Sequence, residues 1–342
     1  MGVWGVRTIF LLLVGIIGVS IVGCGLKISN TDYTLLNVSY DPTREFYRDF
    51  NQLFIEYWEQ ETGGTVHVLQ SHGGAGSQAR AVIEGLAGDV VTMALAYDID
   101  MIHKLSNLLP SDWEGRLPYN STPYTSTIVF LVREGNPKNI TDWDDLIRDD
   151  VAVITPSPKT SGGARWNYLA AWGYAMNAYG NDEKKALEFI TKLYKNVPVL
   201  DAAARGATTT FVERDIGDVF ITWENEAYLA IQEIADKAFE IVVPSVSILC
   251  EPPVALVDKN AKRKGNYEVA QAYLEHLYTE EAQHIIAKHY FRPRNEQVLN
   301  QYRHIFADVE LFTIDDEMFG GWTKAHETHF SDRGYFDKIY RP

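Results

Sequence analysis

The sequence predicts an α/β protein of two doubly wound lobes joined by extended hinge segments. Three observations lead there. Short apolar and β-branched runs alternate with stretches of helical periodicity along most of the chain, an order that yields parallel sheets covered by helices. At 342 residues the chain is longer than one core serves efficiently, so two lobes are expected. Two extended apolar segments, around 128–132 and 254–257, are suited to run between them.

The first residues stand outside that pattern. Arg7 is the only charged residue before Lys27, and residues 9–22 are almost all Ile, Leu, Val, Phe and Gly. This apolar run is shorter than the roughly 20 residues a membrane-spanning helix needs, and its basic lead and small-residue end are those of an export signal. Its close, Ile21-Val22-Gly23-Cys24, resembles a bacterial lipobox, which implies that residues 1–23 are a lipoprotein signal peptide and that Cys24 carries lipid. Residues 24–33 then read as a lipidated tether. The other reading is an uncleaved signal-anchor with an incidental cysteine. Cys250 is the second of only two cysteines, so a lipidated Cys24 leaves it without a disulfide partner. Following Ile248 and Leu249, it reads as a buried, inert thiol.

The folded part is expected as lobe I over 34–125 plus 251–342 and lobe II over 126–250, the tail beyond 320 being free to pack on lobe II. Leu35, Leu36 and Val38 begin the first strand. Asp41-Pro42 then opens a helix as N-cap and first-turn proline. Phe46, Phe50, Leu53, Phe54, Tyr57 and Trp58 recur at helical spacing until Gly63-Gly64 stops them. Further strands are predicted at 65–70, 89–95, 126–133, 151–155, 197–200, 218–223, 240–243 and 254–257. Further helices are predicted at 164–179, 182–195, 224–235, 267–278 and 280–289.

Composition and motifs exclude several classes of function. A net charge of −15 argues against nucleic acid or an anionic membrane surface as partner. There is no Gly-x-x-x-x-Gly-Lys phosphate loop, no His-x-x-x-His metal spacing among the nine histidines, and no Gly-x-Ser-x-Gly nucleophile elbow. The expectation is a protein without cofactor, metal or catalysis.

What remains is a set of loops at the carboxyl ends of the predicted strands, where open α/β sheets bind ligands. After 65–70 comes Ser71-His72-Gly73-Gly74-Ala75-Gly76, and after 151–155 comes Thr160-Ser161-Gly162-Gly163. After 197–200 comes Asp201-Ala202-Ala203-Ala204-Arg205-Gly206, and after 218–221 comes Thr222-Trp223. Each loop enters a helix. Helix N-termini leave N–H groups without intrahelical acceptors, carry about half a positive charge, and bind anions with no basic side chain. Several such ends on one edge point to a small-anion site.

Eight stretches make the chain recognisable: LLNVSYDPTREFY (35–47), QSHGGAG (70–76), ALAYDID (94–100), PYTSTIVFLVREGNPK (123–138), SGGARWNYLAAWGYA (161–175), FVERDIGDV (211–219), WENEA (223–227) and FGGW (319–322). Through them it resembles the sulfate-binding proteins of bacterial ATP-driven sulfate/thiosulfate importers, from about residue 35 to 336. The resemblance implies a type II periplasmic-binding-protein fold closing on a dehydrated anion. It implies sulfate contacts from the N–H of Ala75, from Ser161 through N–H and hydroxyl, from the N–H groups of Gly162, Gly163 and Ala204, and from the indole of Trp223. Ala75 stands where relatives often carry serine, a change that keeps the backbone donor. Arg205 and Asp41 are expected to brace these loops from behind, Asp41 with helix capping as its other role, and His72 to be structural. The implied role is that of a monomeric, lipid-anchored extracytoplasmic receptor that hands sulfate to the membrane subunits of an ABC importer. The alternatives are a receptor for another tetrahedral oxyanion (thiosulfate, molybdate or phosphate), a receptor reporting to a sensor, and an exported ester hydrolase.

Overall fold

The computed structural model describes residues 32–233 and 239–340, so the segment read as a signal peptide and Cys24 lie outside the described residues. The chain opens with β1 (Asp32–Tyr40), which already includes the last two residues read as tether, then α1 (Arg44–Thr62), β2 (Thr65–Gly73), α2 (Ala75–Ile83), β3 (Val90–Thr92) and α3 (Ala96–Ser106). A short turn, α4 (Pro118–Ser121), leads to β4 (Tyr124–Thr125), β5 (Ile128–Arg133) and β6 (Val153–Ile154). Next come α5 (Gly162–Ala178), α6 (Glu183–Lys195), α7 (Ala204–Thr208), β7 (Val219–Trp223), α8 (Glu224–Glu233), β8 (Phe239–Val242) and β9 (Val246–Ile248). The remainder is β10 (Val254–Leu256), α9 (Asp258–Lys264), α10 (Tyr267–His276), α11 (Glu280–Lys288), β11 (Arg292–Pro293), α12 (Glu296–Gln301), β12 (Glu310–Phe312), α13 (Gly321–Ala325) and α14 (Tyr335–Ile339).

Two four-stranded sheets carry the architecture, in the orders β10-β3-β1-β2 and β6-β7-β5-β8. Both are mixed, not parallel throughout. In the first, β1 runs parallel to β2 and β3 while β10 is antiparallel to β3. In the second, β6 and β7 are parallel while β5 is antiparallel to β7 and β8. The odd strands are the ones that enter a sheet after the chain has crossed from the other. A helical crossover enforces parallel entry, and a direct crossing does not. The segment 197–200, expected as a strand, forms none. Single bonds flank it instead of a ladder, from Val153 N–H on β6 to Asn196 O at 2.9 Å and from Ser157 N–H in the loop before α5 to Asp201 O at 2.7 Å.

Helix α1 shows why the aromatic spacing was informative. Its buried Phe46, Phe50 and Phe54 recur every four residues and pack on Tyr273 and Tyr124. It ends at Gly63, whose φ of 69° lets its N–H return to Glu59 O. Helix α5 is buried on nearly every side. The second sheet reaches it through the Asn167 amide, which donates to Ile221 O at 2.8 Å. Its other flank is covered by the C-terminal tail: Trp166 meets Trp322, Trp172 stacks on Tyr335, and the Tyr168 hydroxyl lies 3.1 Å from His329 Nδ1.

Candidate anion-binding site

The start of three helices and the end of β1 meet in one pocket. Tyr40-Asp41-Pro42, Gly73-Gly74-Ala75, Ser161-Gly162-Gly163 and Ala203-Ala204 line it. Contact between these loops depends on missing side chains. A Cβ at Gly74 would stand 2.8 Å from Thr160 O, and one at Gly162 would stand 2.9 Å from the Ala75 methyl and 3.0 Å from that of Ala94. A Cβ at Gly163 would sit 3.1 Å from the indole nitrogen of Trp223. Thr160 completes the link by donating its hydroxyl to Ala202 O at 2.6 Å.

Each loop presents main-chain donors at a helix start. Ala75 opens α2, Gly162 and Gly163 open α5, and Ala204 opens α7. At those first positions the N–H has no acceptor within its own helix. Ser161 departs from the expectation in one respect: its N–H is already given to Ser157 O at 2.9 Å. Its hydroxyl oxygen accepts from Ala164 N–H at 3.3 Å as the helix cap, which leaves the hydroxyl hydrogen as its donor. Trp223 is buried beside Gly163, with its ring 5.6 Å from that of Tyr40. Its indole N–H is given to Gly163 O at 3.3 Å, a long bond on the pocket's own loop.

Asp41 sits in the pocket wall itself, not behind it. It does not cap by its side chain. Tyr40 holds the cap position, and Asp41 is the first residue of a 3-10 turn (Asp41–Thr43). Its N–H, at the first position, has no acceptor within the turn, while its carboxylate turns to Arg44 at 3.6 Å. The signal for this was in the sequence, since Asp41-Pro42 follows a strand and opens a helical turn as the loops before α2 and α5 do. It lacked only the glycine. Among the described residues lining the pocket, Asp41 is the only one with an acidic or basic side chain.

Charged groups surround the pocket at one remove. Arg205 donates to Glu45 at 3.0 Å, tying α7 to α1 across the pocket's rim. Burial raises the Asp98 carboxyl to about 6, with the positive charges of Arg165 and Arg80 pulling the other way. His72 packs its ring between Tyr40 O and the Gln70 amide, and burial lowers its pKa, so it is neutral and structural. The Cys250 thiol is fully buried and burial pushes its pKa up, the reverse of what a nucleophile requires. Among the described residues no group of three or more His, Cys, Asp and Glu side chains is placed to hold a metal.

Comparison with known proteins gives this geometry a setting. The model of the bacterial extracellular solute-binding protein family matches residues 43–292. The sulfate-binding protein of Escherichia coli (strain K12) is 56% identical over 339 residues, covering 99% of each chain. The thiosulfate-binding protein of Pseudomonas aeruginosa is 48% identical over 94% of this chain and 98% of its own. Among solved structures, the sulfate-binding protein SubI from Mycobacterium tuberculosis H37Rv superposes with a TM-score of 0.77 at 32% identity, over 87% of this chain and all of that one.

Proposed function

The chain belongs to the bacterial extracellular solute-binding protein family that includes the sulfate- and thiosulfate-binding proteins, and on that ground we propose that it captures sulfate for an ABC importer. The observation that carries this reading is the convergence of three helix starts and the turn at Asp41 on one pocket, lined by no basic side chain among the described residues, with the Trp223 indole bonded to one of its lining residues, Gly163.

Burying a bare dianion is costly unless its hydration is replaced in place. Charge-assisted hydrogen bonds return about 1.5–3 kcal/mol each, so a ring of main-chain donors, aided by helix dipoles, offsets the desolvation. The proposed contacts are the N–H groups of Asp41, Ala75, Gly162, Gly163 and Ala204, the Ser161 hydroxyl, and the Trp223 indole. For the indole to reach the anion, its long bond to Gly163 O is exchanged for one to the ligand. The net charge of −15 is no obstacle, because oriented N–H groups at contact distance set the local potential.

A pocket of donors also selects. Sulfate and thiosulfate accept at every vertex at neutral pH, whereas phosphate keeps a proton that needs an acceptor. In competitive calorimetry we expect sulfate to outbind phosphate by about two orders of magnitude or more. Thiosulfate is the second oxyanion expected to bind, in line with the names carried by relatives at 46–48% identity. Phosphate binding as tightly as sulfate would overturn the reading, and catalysis on phosphate or sulfate esters would favour the hydrolase alternative. The protein is further proposed to act as a monomer held outside the cytoplasm by lipid on Cys24. Mass spectrometry of the membrane-extracted chain tests the anchor; an unmodified Cys24 thiol would remove it.

A further inference from the structure

Trp223 ends β7 opposite Ile128, and the chain turns at once into α8. The residue after it, Glu224, is 1% exposed and is pinned twice. Its N–H donates to Thr127 O at 2.9 Å. Its carboxylate receives both arms of Arg292, Nε at 2.7 Å and an Nη at 2.8 Å. Arg292 lies 68 residues away on β11, which pairs with β4, the strand leading into β5. The same Nη donates to Ala307 O at 2.8 Å, and the guanidinium lies over the Phe306 ring at 5.4 Å. The pair therefore joins the residue beside the anion pocket to the segment where the chain crosses between its sheets.

A buried ion pair is a poor source of net stability, because desolvation offsets most of its attraction, but a forked pair holds one geometry. Burial raises the Glu224 carboxyl, with the Arg292 hydrogen bonds and charge drawing it the other way. Such a feature one bond from a proposed ligand donor is better explained by orientation than by stability. We propose that Arg292 is a positioning residue for anion binding, acting through Glu224 to fix the direction of the Trp223 indole N–H. This rests on the reading of Trp223 as a sulfate donor. The forked bond matters because a lysine reaches only one carboxylate oxygen, letting the first turn of α8 rotate and swing the indole with it.

The experiment is a double-mutant cycle on the full-length protein, reading sulfate affinity by calorimetry and indole emission by fluorescence. Wild-type binding tests the sulfate reading itself, independently of the cycle. Trp223→Phe is expected to weaken sulfate by about tenfold to a hundredfold, the loss of one charge-assisted hydrogen bond. Arg292→Lys is expected to weaken it by about tenfold or more and to shrink the sulfate-induced emission change. In the Trp223→Phe background, Arg292→Lys should cost less than about threefold more, since the group it positions is gone. The pair Glu224→Gln with Arg292→Met removes both charges and guards against misfolding of the single variants; it should retain the wild-type melting temperature without sulfate yet keep the binding defect. Full additivity in the cycle, or wild-type affinity in the charge-free pair, would overturn the proposal.

Discussion

Gly162→Ala is expected to lower sulfate affinity by about two orders of magnitude or more while the protein stays folded. The added methyl would lie 2.9 Å from the Ala75 methyl and 3.0 Å from that of Ala94, both short, rigid groups that cannot turn aside. Relief therefore requires the loop at Ser161–Gly163 to draw back from the loop at Gly74–Ala75. Both loops line the pocket and carry proposed donors, and hydrogen bonds tolerate only a few tenths of an ångström. Weakening two charge-assisted bonds costs about 3–6 kcal/mol, or about two to four powers of ten in affinity. Alanine is otherwise a good helix residue at this position, so thermal unfolding without sulfate should change little. Gly74→Ala, which meets a backbone carbonyl at 2.8 Å, should behave alike. Calorimetry showing Gly162→Ala within about threefold of the wild type would mean that the loops are free to separate without loss.

The second expected result concerns acid. His329 is buried, with its ring against Tyr168, Trp172 and Tyr335, and burial pushes its pKa down to about 3. An unfolded chain binds that proton near the ordinary value of about 6.5. Between those values the unfolded state holds more protons, so stability falls as pH drops from about 6.5 toward 3. By pH 4.5 the contribution is about 2–3 kcal/mol, at about 1.4 kcal/mol per unit. His326, lowered to about 4 by burial and by the charges of Arg165 and Lys159, pulls in the same direction but is half-exposed and counts for less. Asp98 opposes it. Its raised pKa makes the folded state the better proton binder between about 6 and 4, so it adds stability as pH falls. The clean measurement is therefore a difference. Urea unfolding of wild type and His329→Gln at pH 7 and 4.5 should show the wild-type advantage shrinking by about 2–3 kcal/mol, and Asp98→Asn should steepen the acid loss. A difference that does not change with pH would place no titration at His329.

Much of this molecule can be read before any fold is seen, and the readable parts share a cause. The Phe46, Phe50 and Phe54 stripe, the stop at Gly63 and the small-residue loops before α2 and α5 are local: spacing, missing side chains and caps act within a few residues. The loops at Ala75, Gly162, Gly163 and Ala204 were candidates for that reason, because the proposed donors are main-chain groups whose availability follows from where a helix starts. Asp41, expected behind the loops or as a cap, lines the pocket; its turn has no glycine to advertise it.

Other features depend on contacts between distant segments. No spacing rule tells 197–200 to stay out of any strand. Strand polarity at β5 and β10 follows from how the chain travels between sheets, not from their apolar composition. The Glu224–Arg292 fork spans 68 residues, and neither side chain looks unusual in its own neighbourhood. Periodicity and capping are written residue by residue and so survive in one dimension. Hydrogen-bond partners far apart along the chain, strand direction and the burial of His329 and Asp98 exist only once packing has brought remote groups together and taken water away.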